Sequence, residues 1–403
     1  MRKIAYPAHA KMADLLDEYE NIFSLDNTTM QNKWVNFRDE LRRLSKSSSP
    51  NVLYPDNITN VFTMPYPTLV EMYLDYVQIR GTGKNKNEEV LHEKLSKLFH
   101  YSGQENPYVS AYQRKIANFF MQHSGELGIS VCYYCETSFI NTYGLTSIYK
   151  NLATFLVAAD IDTLKRYIRK SDDNPYSDAV IKDIYNSCHG EDVATVVDKF
   201  IRYCHKRFPR LKSKKSELLK GNMRNHFDLD HFLPKSICPL VALSFYNFVP
   251  SCSVCNEKLK GADMIGETDK SKLLALSPTS DMYNFDKDIK IRIAYNAGVS
   301  TLRMQEHPDD FRIEFTPKGS EYQTIVNEFR LDERYNYHKQ IALKQYDLYQ
   351  DFSPGHISQL EKLFGGAKKR NEIENQIFRG EYTEDKARCF DKLKRDIKEQ
   401  SGR

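Results

Sequence analysis

The sequence predicts an α+β chain, mostly helical, built round a small metal-stapled core. Three observations predict it. Apolar residues recur at helical spacing through residues 1–125 and again through 146–220. Two short runs beyond residue 263 alternate as strands do. Two Cys-x-x-Cys pairs, far apart in sequence, enclose the middle of the chain.

Composition bounds the rest. The chain has 403 residues, 40% of them hydrophobic and 28% charged, as expected of a soluble globular protein with two or three domains. It contains no apolar run long enough to span a membrane. The start, "MRKIAYPAHAKMADLL", is basic but lacks the apolar stretch of a secretory signal, so a cytoplasmic location is expected. Eight cysteines are too few for a disulfide scaffold in a chain this long.

In chain order, Met12, Leu15, Leu16, Tyr19, Ile22 and Phe23 recur at steps of three and four, the spacing of one buried helix face. Leu69, Met72, Tyr73, Tyr76 and Ile79 repeat the pattern, as do Tyr112, Ile116, Phe119 and Phe120. Residues 1–125 are therefore expected to form a helical N-terminal region, with loops at "SKSSSPN" (45–51) and "RGTGKNKN" (80–87). The second loop is not a phosphate loop, because Gln78 stands where the first glycine of G-x-x-x-x-G-K belongs. Residues 126–262 are expected to form the core, with a helical insertion over 146–225. In that insertion Val193, Val196, Val197, Phe200, Ile201 and Cys204 form one apolar stripe, which makes Cys204 a core residue. Residues 263–403 are expected to be α+β: "IKIRIAY" (289–295) and "FRIEF" (311–315) as strands, then helices from Tyr335 onward.

Net charge is +4, unevenly spread. Residues 202–225 hold nine Lys or Arg and one acid, Glu217, so this segment is +8 and the remainder sums to −4. A solvated helix-and-loop face is one reading. A strip that grips nucleic-acid phosphate is the other, with Lys212, Lys214, Lys215 and Arg224 as contacts.

The chemistry lies in four short stretches. "VCYYCE" carries Cys132 and Cys135, and "SCSVCN" carries Cys252 and Cys255. Each is a tight turn that aims two thiolates at one ion, and together they supply the four sulfurs of a tetrahedral structural zinc site. The 116-residue spacer far exceeds that of a compact ribbon, and an independent insertion would account for it. Two unrelated pairs, or a redox motif, are the competing readings. Between the pairs lie "FDLDHFLPKS", with Asp230, His231 and Pro234, and "FYNFVP", with Asn247.

This order resembles the HNH endonucleases, the ββα-metal nuclease superfamily, in their zinc-stapled McrA-like form. The pattern there is Cys-x-x-Cys, then Asp-His with a proline three residues on, then an asparagine in a strand, then Cys-x-x-Cys followed by His or Asn. Here these are Cys132, Cys135, Asp230, His231, Pro234, Asn247, Cys252, Cys255 and Asn256. The large insertion and the asparagine at 256 are departures from the commonest form. The resemblance implies a metal-dependent endonuclease acting on DNA, of the kind found in bacterial anti-phage defence, where some work beside an ATPase partner protein. It also implies that Asn247 braces the loop carrying His231 without touching metal.

The residues suit that chemistry. Phosphodiester hydrolysis needs a nucleophile made from water and a cation against the phosphate. A solvent-facing His231 with a near-neutral pKa suits a general base. Asp230 and Asn256 offer oxygens to Mg²⁺ or Mn²⁺. Adjacent strand residues point to opposite faces, so Asp230 and His231 meet at one site only across a turn or bulge. Asp228 and His226 are expected on the same strand, as further candidates. Lys235 is a phosphate contact or a solvated surface residue. A non-catalytic zinc-stabilised nucleic-acid binder has no need of the Asp230, His231 and Asn256 set. An RNase of the same superfamily uses the same chemistry, though no aromatic RNA-recognition signature is present.

Overall fold

The computed structural model describes the chain except for residues 25–26, 82–85, 102–111, 172–173, 208–223, 262–267, 297, 320, 365–369, 379–387 and 403. The protein is α+β and mostly helical, and among the described residues its strands form short two-stranded pairs. Met1–Ile140 together with Phe227–Arg403 forms one unit, and Asn141–His226 forms a second.

In the first unit the predicted stripes become buried helix faces. Leu15, Tyr19 and Phe23 are buried along His9–Glu20 and the tight turn after it, while Met12, Leu16 and Ile22 stay half-buried. The helix Tyr66–Arg80 buries all of Leu69, Met72, Tyr73, Tyr76 and Ile79. Proline in its first turn suits a start where N–H groups have no helical acceptor. Gly81, at φ 56°, takes a positive-φ conformation that a side chain would strain, and the helix ends there. The loop expected at 45–51 closes early, because Pro50 opens the short helix Pro50–Leu53. Of the loop expected at 80–87, residues 82–85 lie outside the described residues, while Arg80 still belongs to one helix and Lys86 already opens the next, Lys86–Leu98.

These helices pack on the segment that follows the Asp-His pair. Tyr19 meets Phe119 and Phe245 edge-on at 5.1 and 5.3 Å between centroids, and its hydroxyl donates to Leu243 O at 2.9 Å. Phe120 stacks on Phe245 at 5.6 Å.

Toward the C-terminus, Ile289–Tyr295 pairs antiparallel with Phe311–Pro317, two residues past the predicted end of the second strand. Ile289, Ile291, Ile293, Phe311, Ile313 and Phe315 point inward. A two-stranded ladder is marginal alone, and both of its edges carry unpaired backbone groups. Helix side chains satisfy them. On one edge Asp396 accepts from Ile291 N at 2.8 Å, and Gln400 both accepts from Ile293 N and donates to Ile293 O. On the other, Asn336 does the same for Ile313, and Asp332 accepts from Phe315 N at 3.3 Å.

The second unit is helical, with the added short strand pair Arg169–Ser171 and Asn174–Pro175. Its core includes Phe155, Leu164, Ile181, Ile184, Val196, Phe200 and Cys204, so Cys204 sits inside as its stripe required. Val193 lies outside that stripe and is exposed. Thr142–Tyr143 pairs with Arg224–Asn225, which brings the two ends of the insertion together. Among the described residues no helix is long and apolar enough to cross a membrane.

Candidate functional site

The first knuckle is a tight hairpin. Cys132 N donates to Ser138 O at 3.0 Å and Glu136 N to Cys132 O at 3.0 Å, with Glu136 turning at φ 52°. The second knuckle ends the strand Phe248–Ser251 and opens a helix. The two touch directly, since Cys252 N donates to Cys132 Sγ at 3.3 Å. All four sulfurs lie within 4.8 Å of one another, and Cys135 Sγ is 4.0 Å from Cys252 Sγ. Zn–S bonds of about 2.3 Å in a tetrahedron put sulfurs about 3.8 Å apart, so the set fits one zinc ion. The four cysteines are buried and not joined as disulfides. The sulfurs act on one another: the Cys252 thiol is held below its usual pKa by its three neighbours, while Cys132 and Cys255 are pushed up. Among the described residues this is the one group of three or more His, Cys, Asp or Glu side chains placed to share an ion.

The strand Asp228–His231 pairs with Phe248–Ser251, which leads straight into Cys252. The expected turn or bulge at Asp230–His231 is absent. Register runs unbroken, with Asp230 opposite Val249 and His231 opposite Phe248, so the two side chains keep the opposite faces that a pleated strand gives them. On one face Asp230 Oδ2 accepts from Tyr134 Oη at 2.5 Å, and Oδ1 pairs with Lys260 Nζ at 3.0 Å. Lys260 also donates to His231 O at 3.1 Å. Both members of this ion pair are buried, Asp230 at 4% exposure and Lys260 at 2%.

On the other face His231 packs edge-on to Tyr101 at 4.7 Å and against Phe248 at 4.8 Å. Its Nε2 is 2.9 Å from Ala242 O. A carbonyl can only accept, so Nε2 carries the hydrogen and Nδ1 keeps its lone pair. The solvent-facing, near-neutral imidazole expected from sequence is corrected on both counts. His231 is buried, and burial, aided by the Lys235 and Lys260 charges against the bond to Ala242, pushes its pKa down to about 3.

Asn247 is fully buried across the loop after His231. Its Nδ2 donates to Leu233 O at 2.9 Å and Val241 O at 3.0 Å, and its Oδ1 accepts from Leu233 N at 2.8 Å. Asn256 lies in Val254–Lys260, a π-helix in which Gly261 N donates to Asn256 O at 2.9 Å. Such wide turns are rare and gather at functional sites. The Asn256 side chain lies near Asp228 and favours its charged form. Asp228 is half-buried, and its Oδ2 is shielded from solvent without a hydrogen-bond partner. Burial, with Glu257 nearby, raises the pKa of this carboxyl. For a divalent ion the donors at hand are therefore the free oxygen of Asp228 and the amide of Asn256. Asp230 has both oxygens committed.

Lys235 sits with its ammonium 4.5 Å over the Tyr101 ring, close to His231. His226 precedes the strand rather than lying on it, and belongs with Arg224 to the second unit. Arg224 is exposed there, while Lys212, Lys214 and Lys215 lie outside the described residues. Sequence reasoning missed Tyr134, Lys260, Tyr101 and Arg334. Tyr134 stands inside the first knuckle and Lys260 shortly after the second, but nothing in their spacing tells that each reaches Asp230. Compared with known protein families, curated proteins and solved structures, the chain matches none of them.

Proposed function

We propose that the protein is a metal-dependent endonuclease of the HNH type that hydrolyses phosphodiester bonds in DNA. The observation that carries this reading is the continuity of one short unit. A strand bearing Asp230 and His231 is hydrogen-bonded to a strand that ends in a cysteine knuckle, and a helix bearing Asn256 follows at once. The four-cysteine cluster staples this unit to the first knuckle.

His231 acts as general base through Nδ1. A pKa near 3 keeps the imidazole neutral at physiological pH, with its lone pair available. Such a low value also makes it a weak acceptor in isolation, so the proton transfer leans on groups that steady the imidazolium once formed. The Ala242 carbonyl, accepting from Nε2–H, is one of them. Asn247 ties the loop ahead of Ala242 and so fixes the height of that carbonyl. Asp228 and Asn256 would hold a magnesium or manganese ion that offsets charge on the phosphate and the leaving oxygen. Asp228 shares the strand face of Asp230 and His231 has the other, so the scissile phosphate must sit at the strand end, within reach of both faces. Lys235, on the rim beside Tyr101, meets the phosphate backbone.

The test is cleavage of plasmid DNA, and separately of RNA, by purified protein with Mg²⁺, with Mn²⁺ and with EDTA. DNA cut only with a divalent ion supports the reading. Cleavage of RNA alone would make the protein an RNase of the same design. Binding of DNA without cleavage under every condition would leave a zinc-stabilised binder.

A further inference from the structure

One side chain that neither knuckle contains bonds a sulfur from each. Arg334, in the helix Leu331–Tyr337, donates from Nη1 to Cys255 Sγ and from Nη2 to Cys135 Sγ, both at 3.2 Å. Nη2 also donates to Thr137 Oγ1 at 2.9 Å. The neighbouring Tyr335 hydroxyl donates to Cys135 O at 2.8 Å. Tyr134, between the first two cysteines, stacks on Phe329 at 4.4 Å between centroids. The first knuckle is thus held at sulfur, backbone and ring by a stretch of chain some two hundred positions away, Arg334 being separated from Cys135 by 199.

The charges explain why an arginine suits this place. Four thiolates around one Zn²⁺ leave a net charge of −2 in a buried site. A guanidinium brings that to −1 and presents its N–H groups in a rigid planar fork that meets two acceptors at once. Hydrogen bonds to an ionised acceptor are also roughly twice as strong as neutral ones. A lysine carries the charge but not the fork.

We propose that Arg334 is a positioning residue of the metal centre. It holds the Cys135 and Cys255 sulfurs in place for zinc, and it couples the metal to the C-terminal ladder. The coupling runs through one helix. Arg334 faces the sulfurs, while Asp332 and Asn336, four residues apart, face the strand Phe311–Pro317 and cap its edge. This proposal rests on the four cysteines holding zinc and is independent of nuclease activity.

The test compares wild type, Arg334→Gln and Arg334→Lys by zinc competition against a chromophoric chelator and by the spectrum of the cobalt-loaded protein. Loss of an outer partner of a metal ligand typically weakens affinity about 10–100-fold, and that loss is expected for Arg334→Gln. Its sulfur-to-cobalt charge-transfer band should move to longer wavelength, because the sulfurs lose their donors. Arg334→Lys should recover part of the affinity and part of the shift. Hydrogen exchange at Ile313 and Phe315 should quicken in Arg334→Gln. Wild-type affinity with an unmoved band in Arg334→Gln overturns the proposal. If Arg334→Gln does not fold, Arg334→Lys decides, and wild-type affinity with an unmoved band there overturns it equally. A wild-type protein that takes neither zinc nor cobalt overturns the zinc reading itself, and this proposal with it.

Discussion

Removing Asp230 should unfold the protein more readily, not merely weaken a metal. The Asp230–Lys260 pair is 3.0 Å apart and almost wholly shielded from water. At an effective dielectric constant of 20 the Coulomb attraction at that distance is about 5.5 kcal/mol, set against the cost of stripping water from both groups. Once one partner is deleted, the other charge stays buried and unpaired, at a loss of about 3–5 kcal/mol. Asp230→Ala leaves Lys260 with only His231 O, and Lys260→Met leaves Asp230 with only the Tyr134 hydroxyl. The double variant buries no lone charge and should lose clearly less than the sum of the two. The assay is denaturant unfolding of wild type, both single variants and the double variant, each loaded with zinc. Losses that add to within about 0.5 kcal/mol would show the two groups to be independent and refute the reasoning. So would a loss under about 1 kcal/mol for Asp230→Ala, or full recovery of its stability on adding Mn²⁺.

Three further outcomes are expected. Elemental analysis should find about one zinc per chain, and Cys252→Ser or prolonged chelation should lower the melting temperature sharply, because metal binding by residues this far apart is folding free energy. Because burial pushes the His231 pKa from 6.5 to about 3, the unfolded chain takes up a proton there that the folded protein refuses, so stability is full above about pH 6.5 and is lost as pH falls toward 3. The melting temperature of wild type should therefore fall relative to that of His231→Phe as pH drops through that window, and a constant difference from pH 7 to pH 4 would contradict the burial. Reversing three of Lys212, Lys214, Lys215 and Arg224 to Glu should weaken DNA binding and flatten its salt dependence, whereas an unchanged salt slope would show that the segment does not touch phosphate.

What was legible in the sequence was whatever repeats locally. The stripe from Leu69 to Ile79 and the alternation from Ile289 to Tyr295 show in the residues themselves, because period alone tells helix from strand. The cysteine pairs were legible because C-x-x-C makes one turn whatever surrounds it. What failed depended on groups distant in sequence. His231 looked solvent-facing because nothing nearby shows that Tyr101 and Phe248 close over it. The bulge was inferred to bring Asp230 and His231 to a single site, but an unbroken register leaves each its own face, and Tyr134 and Lys260 fill the face of Asp230. Asp332, Asn336, Asp396 and Gln400 carry no strand signal, yet they satisfy the edges of the C-terminal ladder.

As proposed above, His231 takes a proton from the attacking water. The most direct measurement is single-turnover cleavage of DNA by wild type and by His231→Gln at neutral pH in Mn²⁺, each shown beforehand to hold zinc and to melt as a folded protein. If His231 is that base, His231→Gln binds DNA as wild type does and cleaves about 10²–10⁴ times more slowly, with no recovery on raising the metal concentration. Cleavage by His231→Gln at the wild-type rate would contradict it.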